Sequence, residues 1–405
     1  MSDKAPLIVL AAGGTGGHVF PAEALARELL GRGLRVALLT DQRGNKYSGT
    51  KKPNTSIDEL PIDTYRVRAS SLGKGVFGKL RSVVDMGIGA LQARGKLRKL
   101  NPAAVVGFGG YPSVPTLYAA AQLQIPILLH EQNAILGRAN RAMMNKADII
   151  ATSFPHVTGL KPAANVRLVQ TGNPVRPAFT ALRATPYTPL AEDGPMRILV
   201  LGGSGGAKIF SGVVPQALGL LPEHLRRRIV IAQQCRAETW EQARSAYAAA
   251  GIDAELSTFF HDVPERMAAA HLVICRAGGS TIAELTAVGR PSILVPFPHG
   301  HAGEQTANAE AVAEAGGAWL IPEQAFTPES LSVRLESLMT LPGTLTKTAA
   351  AARAWGKVTA ADSLADCVCE IIGLSAPKNR RTSDMIVNDK DAEGASIFAK
   401  REQAA

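Results

Sequence analysis

The sequence predicts an α/β protein made of two Rossmann-like domains facing each other across a cleft, and two observations carry that prediction. Two glycine-rich turns of nearly the same design each follow a short apolar strand: LIVLAAGGTGGH, ending at His18, and RILVLGGSGGAK, ending at Lys208. A strand that runs into clustered glycines and then a helix gathers bare backbone N–H groups and the positive end of a helix dipole at one point, a ready site for phosphate. The second observation is length. A chain of 405 residues exceeds the roughly 100–200 residues that one core usually serves, so two domains are expected.

Apolar strands alternate with helical patterns through the first half, as a βαβ series requires. LIVLA (7–11) precedes the helix-like PAEALARELLGRG, closed by Gly31 and Gly33, and then RVALLTD (35–41). AAVVGFGGYPS (103–113), a helix to about Gln124, PILLHEQN (126–133), another helix and ADIIATS (147–153) follow, reading as parallel strands with functional loops at their C-terminal ends. Pro177, Pro186, Pro189 and Pro195 lie among small and polar residues, which marks 177–195 as a linker between an N-terminal domain, 1–176, and a C-terminal domain, 196–358. The second domain repeats the pattern with RILVLGG (197–203), RRIVIAQQ (227–234), HLVICRAGGST (271–281) and PSILVPFP (291–298). A helix at 359–373 comes next, and residues 374–405, charged and without helical periodicity, read as a flexible polar tail.

Composition is that of a folded, soluble enzyme, 46% hydrophobic and 19% charged. No apolar run reaches the ~20 residues of a spanning helix, and no long apolar segment precedes the first glycine turn, so a cytosolic protein is expected. Cys235 and Cys275 are isolated, and Cys367 and Cys369 share an apolar helix-like run without zinc spacing, which points to reduced structural thiols. The net charge of +10 implies an anionic partner. Nucleic acid is disfavoured, because no recognised module or aromatic–basic array is present. Basic residues crowd 66–99, and within SSLGKGVFGKLRS an apolar set, Leu72, Val76, Phe77 and Leu80, is rimmed by Lys74, Lys79 and Arg81. That combination suits monotopic contact with an anionic membrane surface. A helix with one face on a core and the other in solvent would have the same composition.

Two kinds of nucleotide chemistry are excluded or weakened. A P-loop needs GxxxxGK[ST], whereas GGSGGAKI has Ala207 at the last glycine and Ile209 at the hydroxyl position that would hold magnesium. The dinucleotide fingerprint GxGxxG fails at Val19 when counted from Gly14 and at Lys208 when counted from Gly203, although Asp41 ends the second strand where a ribose-binding acid would stand. A dehydrogenase remains the formal rival on that one residue.

Six motifs in order carry a resemblance: GGTGGHVFPA (13–22), GFGGYPSVP (107–115), HEQN (130–133), TGNPVR (171–176), LGGSGGA (201–207) and CRAGGSTIAE (275–284). Over about 7–372 the chain resembles the MurG family, peripheral membrane glycosyltransferases that make lipid II for bacterial cell walls. The resemblance implies the GT-B glycosyltransferase architecture, with a C-terminal helix returning to the first domain. It implies inverting transfer of N-acetylglucosamine from UDP-GlcNAc to the muramoyl 4-hydroxyl of undecaprenyl-linked lipid I, at the cytoplasmic face of the cell membrane, with cell-wall synthesis proteins as further partners. Other UDP-sugar enzymes of two-domain form, such as a UDP-GlcNAc 2-epimerase, and a noncatalytic membrane-docked nucleotide-sugar module are the alternatives.

Such a reaction needs a general base for the acceptor hydroxyl and a stabiliser for the leaving diphosphate. His18 is the base the resemblance implies, with an ordinary imidazole pKa of about 6.5 suited to neutral pH, or else it caps the helix beginning at about Pro21 or only hydrogen-bonds the acceptor. Glu131 in HEQN is the competing base, or else a residue that orients loops. Thr15, Gly16 and Gly17 would contact substrate in the first domain, and Ser204, Gly205 and Gly206 would hold the diphosphate in the second. No cofactor is expected, and metal independence is, because the single DxD pair, Asp389 and Asp391, lies in the tail. By resemblance Glu284 takes the ribose hydroxyls, Thr281 faces the donor, Asn133 and Gln305 contact the sugar, and the Phe260 backbone meets uracil. Either amide could instead satisfy loop backbone, and the Phe260 ring could be core. Arg176 would bind donor or form an interdomain ion pair. This chain departs from the family with Gly205 where Gln is usual, Glu304 where His or Gln is usual, and AQQCR (232–236) in place of HQxG. Those departures touch donor contacts and leave the reaction class unchanged.

Overall fold

The structure, a computed structural model, describes residues 5–13, 16–41, 60–70, 75–203 and 206–374. The first domain runs β1 (Leu7–Ala11), α1 (Gly16–Gly31), β2 (Arg35–Thr40), β3 (Asp63–Arg66), α2 (Gly75–Leu100), β4 (Ala104–Gly107), α3 (Ser113–Gln122), β5 (Ile127–Glu131), α4 (Arg138–Met143), β6 (Ile149–Thr152) and β7 (Arg167–Gln170). After α5 (Pro177–Ala181) the second domain runs β8 (Met196–Leu201), α6 (Lys208–Gly219), α7 (Glu223–Arg226), β9 (Ile229–Gln234), α8 (Trp240–Ala249), β10 (Ala254–Ser257), α9 (Val263–Ala269), β11 (Leu272–Cys275), α10 (Gly279–Val288), β12 (Ser292–Leu294), α11 (Glu304–Glu314), β13 (Trp319–Leu320), α12 (Pro328–Thr340) and α13 (Gly343–Trp355). A last helix, α14 (Ala360–Ile371), follows.

Each domain is one parallel sheet, ordered β3-β2-β1-β4-β5-β6-β7 in the first and β10-β9-β8-β11-β12-β13 in the second. Strands such as β1, β4 and β5 are buried along their whole length, which is why they read as unbroken apolar runs. In both sheets the chain winds outward in two directions from a central pair, β1/β4 and β8/β11. The loops leaving such a pair diverge and open a crevice beyond the strand C-termini, the position where doubly wound sheets bind ligands.

Helix α14 crosses back to the first domain. Its Leu364, Ala365 and Val368 are fully buried in one cluster with Ile8 and Leu10 of β1 and Leu25 and Leu29 of α1, and burial of Leu364 alone is worth roughly 1.5–3 kcal/mol. Arg32 fastens the end of α1 to it, donating to the Asp366 carboxylate at 2.6 Å and the Asp362 carbonyl at 3.0 Å. The two chain crossings between domains touch: a β-carbon on Gly172, whose φ is +84°, would stand 2.8 Å from Cβ of Lys357.

In the 177–195 segment Phe179 is fully buried, Arg183 donates to the carbonyls of Thr286 and Ala287, and Tyr187 donates to that of His271. These bonds hold the segment to the second domain. The four cysteines are free and buried. Among the described residues no helix is long and apolar enough to cross a membrane.

Candidate active cleft

The two central strand pairs aim their loops at one another across a cleft of about 2450 Å³. On the first-domain side the turn after β1 meets the turn after β4. Gly13 N–H donates to the Gly109 carbonyl at 3.2 Å, and a β-carbon on Gly13 would lie 3.2 Å from Gly110 Cα. Gly109 and Gly110 are both left-handed, with φ of +80° and +73°. The His18 imidazole lies against this double-glycine turn, its ring carbons 3.5 Å from where either β-carbon would stand. A side chain at 109 or 110 would therefore strain the backbone of the turn that seats the imidazole. His18 is half-buried, and desolvation holds its pKa down to about 4. The ordinary value of about 6.5 that the sequence suggested is thus not the value in this cleft, and the ring is neutral at pH 7.

Glu131, at the end of β5, is buried, and both of its oxygens are engaged. Oε1 accepts from Asn133 N–H at 3.1 Å and from Asn133 Nδ2 at 3.4 Å, while Oε2 accepts from Gly137 N–H at 2.9 Å and Asn140 Nδ2 at 2.8 Å. Burial raises its pKa against these four donors, which pull it down. A carboxylate so occupied organises the HEQN loop and has little capacity left for an acceptor proton. Its neighbour His130 is fully buried, with Nε2 3.0 Å from the Gly172 carbonyl and Nδ1 3.0 Å from Gln132 Nε2. Donating through Nε2 and accepting at Nδ1 satisfies both, and burial holds this ring, too, at about 4.

On the second-domain side, Gly202 admits no side chain, since a β-carbon would stand 2.3 Å from Ala207 N. Gly206 borders the cleft with φ of +64°. Ser204, Gly205 and Thr15 lie outside the described residues, whereas Gly16 and Gly17 line the cleft. Arg236, ending the AQQCR departure, donates Nε–H to the Gly206 carbonyl at 3.3 Å and so puts a guanidinium beside the glycine turn after β8. Helix α10 opens without a side-chain cap, and Gly278, Gly279, Ser280 and Thr281 line the cleft, which leaves the positive end of a ten-residue helix facing it.

Arg176 and Glu284 meet each other. The guanidinium donates twice to Glu284 Oε1, at 2.8 and 3.2 Å, and stacks over Phe20 of α1 at 4.4 Å and Phe179 at 4.8 Å. The pair joins α1 of one domain to α10 of the other. Gln305 accepts at Oε1 from the N–H groups of Ala277 and Phe297, at 3.2 and 3.0 Å, so its amide nitrogen is the end left for a ligand. The Phe260 ring is core, buried beneath the Arg266 guanidinium at 4.3 Å. The residue before it, Phe259, is 61% exposed at the cleft and packs on His261. Phe259, Arg236, Asn140 and Asn308 were not among the sequence candidates. Strand-end position would have found Arg236, and a seven-residue spacing from Asn133 on the next helix would have pointed to Asn140.

The basic apolar patch is only partly visible. Leu72 and Lys74 lie outside the described residues, Val76, Phe77, Lys79 and Leu80 fall in the first turns of α2 where side chains are not described, and Arg81 is exposed. Further along α2, Val83 and Leu91 are 62% and 70% exposed, and Val83 also borders the cleft. Ala93 and Leu97, nearer the C-terminal end of the helix, are fully buried.

The family models for the glycosyltransferase family 28 N-terminal and C-terminal domains match residues 8–152 and 197–366. The chain is 54% identical over 378 residues to the UDP-N-acetylglucosamine--N-acetylmuramyl-(pentapeptide) pyrophosphoryl-undecaprenol N-acetylglucosamine transferase of Rhodospirillum centenum, covering 93% of this chain and 98% of that one. It is 46% identical over 374 residues to the enzyme of the same name from Rhodopseudomonas palustris, covering 92% and 100%. The crystal structure of Acinetobacter baumannii MurG superposes with a TM-score of 0.71 at 29% identity, covering 90% of this chain and 99% of that one. UDP-GlcNAc 2-epimerase from Neisseria meningitidis shares the fold, with a TM-score of 0.62 at 13% identity over 90% and 99% of the two chains. With both domains matched in order and near-full-length relatives at such identity, the chain belongs to glycosyltransferase family 28 and has its GT-B fold.

Proposed function

We propose that this cleft transfers N-acetylglucosamine from UDP-GlcNAc to the muramoyl 4-hydroxyl of undecaprenyl-linked lipid I, with inversion, giving lipid II for peptidoglycan synthesis. The observation that carries the reading is the opposition of a neutral imidazole, His18 on its double-glycine turn, to the donor-binding set Thr281, Glu284 and Gln305 on the far wall of one cleft. The names of the near-full-length relatives favour it over the epimerase, whose likeness is one of fold alone.

The donor sugar is α-linked and the product β-linked, so the acceptor oxygen attacks the anomeric carbon from the face opposite UDP. As that bond forms and the bond to the diphosphate breaks, the hydroxyl proton passes to the neutral His18 nitrogen and the electron pair leaves on UDP. Bound diphosphate places negative charge in the same cleft, which favours the imidazolium and lifts the basicity that desolvation had lowered. The leaving charge is held by the Gly203 N–H in the turn after β8, the open end of α10, and the cations Lys208, Arg236 and Arg276, all bordering the cleft. Those groups suffice for diphosphate without a metal. Glu284, oriented by Arg176, takes the ribose hydroxyls, the amide nitrogens of Asn133 and Gln305 take sugar hydroxyls, and uracil lies by the Phe260 backbone with the Phe259 ring beside it. Glu131 is the positioning carboxylate of the HEQN loop.

The lipid acceptor stays in its bilayer, so the enzyme works peripherally at the cytoplasmic membrane face, presenting the start of α2 and the apolar residues that run from it toward the cleft. The test is incubation with UDP-GlcNAc and a lipid I analogue. UDP release dependent on acceptor and greatly reduced in His18→Ala is the expected result; epimer formed without UDP release, or binding without turnover, refutes the reading.

A further inference from the structure

Asn308, on α11 of the second domain, has no exposed surface and no place among the donor-binding residues. Its side-chain amide nevertheless spans the two domains. Oδ1 accepts from Ala134 N–H in the first domain at 2.7 Å, and Nδ2 donates to the Ala277 carbonyl at 3.1 Å and to Asn133 Oδ1 at 3.0 Å. Both Nδ2 hydrogens and the carbonyl oxygen are used, so the amide has one orientation: turned over, it would set donor against donor at Ala134 and acceptor against acceptor at Ala277. The fit around it is close. A β-carbon on Gly279 would stand 2.4 Å from the Gln132 carbonyl and 3.2 Å from Asn133 Oδ1, so the HEQN loop rests directly on the opening of α10.

The consequence falls on Asn133. With Oδ1 occupied by Asn308 and the backbone N–H by Glu131, the half-buried Asn133 presents its Nδ2 end, held only by a long 3.4 Å contact to Glu131, toward a ligand. We infer that Asn308 is a positioning residue for sugar transfer: by fixing the amide orientation of Asn133 from the opposite domain, it makes the donor-sugar contact available only when the two domains are docked. This rests on the reading of Asn133 as a sugar-contacting residue, and the test separates the two.

Binding of UDP and of UDP-GlcNAc is measured by calorimetry, and transfer by UDP release, for the wild type, Asn133→Ala, Asn308→Ala, Asn308→Asp and the double alanine variant. Asn308→Asp keeps the acceptor for Ala134 but turns an acceptor on both Asn133 and the Ala277 carbonyl, and Asn133 answers by reversing its amide. Loss of one well-placed hydrogen bond to the sugar corresponds to ~10-fold. Both Asn308 variants should lower kcat by at least that factor and lose the sugar's share of donor affinity, the ratio of UDP to UDP-GlcNAc dissociation constants, while UDP itself binds within about 3-fold of wild type, which also certifies folding. In the Asn133→Ala background, Asn308→Ala should add little. If Asn133→Ala impairs transfer while the Asn308 variants do not, or if the two alanine losses simply multiply, the positioning role is wrong. If Asn133→Ala changes nothing, the sugar-contact reading falls instead. Should Asn308→Ala lose UDP binding as well, Asn308→Asp, which differs by one atom type, decides: normal UDP affinity with reduced kcat supports the inference, and normal kcat overturns it.

Discussion

Acid should loosen this protein through a histidine that performs no chemistry. His130 is fully buried between the Gly172 carbonyl and Gln132, tilted against Phe108 at 5.6 Å, and its pKa is held at about 4. In the unfolded chain an imidazole titrates near 6.5, so between pH 6.5 and 4 the unfolded state binds a proton that the folded state refuses. The folded pKa is the lower one, so the contribution to stability is present above pH 6.5 and lost as pH falls toward 4. At 1.36 kcal/mol per pKa unit the full loss is about 3 kcal/mol, and between pH 7 and pH 5 it is about 2 kcal/mol. Half-buried His18 contributes in the same direction, and Glu131, whose pKa is raised, in the opposite one. A comparison of wild type with His130→Gln cancels both. Glutamine can still donate to Gly172 but has nothing to titrate. Urea unfolding at pH 7, 6 and 5, followed by far-UV circular dichroism, should show the variant less stable at pH 7 and the gap closing by about 2 kcal/mol at pH 5. Parallel pH dependences for the two proteins would show that His130 is not held neutral by the fold.

Three further outcomes test the cleft. Glu284→Ala removes the proposed ribose ligand and strands Arg176 between Phe20 and Phe179, so donor titration should show affinity for UDP falling by about 10- to 100-fold, as expected for charged hydrogen bonds; unchanged UDP affinity in a folded variant rejects the assignment. Transfer should survive EDTA if N–H groups, helix ends and cations carry the diphosphate as proposed, and loss restored by magnesium or manganese would contradict this. Changing Phe77 and Leu80 to Ser and Lys79 and Arg81 to Gln should weaken co-sedimentation with anionic vesicles, each cation contributing about 1 kcal/mol near the surface, while UDP binding stays normal; unaltered vesicle binding would place the membrane contact elsewhere.

What the sequence made legible follows from where each residue sits in the sheets. Central strands such as β1, β5 and β8 are covered on both faces and read directly as apolar runs. The edge strands β3, β7 and β10 are largely uncovered, with charged or polar residues at Asp63, Arg66, Arg167 and Glu255, and nothing in their pattern separates them from loop. Helix α2 was obscured for a similar reason, since its apolar residues are not all buried: Ala93 and Leu97 are, while Val83 and Leu91 are exposed. The prolines of 177–195 mark a segment that Arg183 and Tyr187 bond to the second domain, contacts that no local pattern announces.

Motifs located the cleft because glycines mark backbone conformations that only glycine adopts easily, and Gly109, Gly110 and Gly206 are all at positive φ. They could not say which end of a side chain faces the ligand. For an amide that choice depends on its partners, and the partner of Asn133 is Asn308, 175 positions away in the other domain. The same holds for charge: His18 looks like an ordinary imidazole in the sequence and acquires a pKa near 4 only when the β1 and β4 turns close around it. Local sequence therefore specifies the backbone cradle of each half-site, whereas orientation and protonation belong to the docked pair of domains. It follows that variants at the interface, Asn308 and Arg176 above all, should alter transfer in proportion to how far they disturb the facing half-site, even though each is rooted in the backbone of the other.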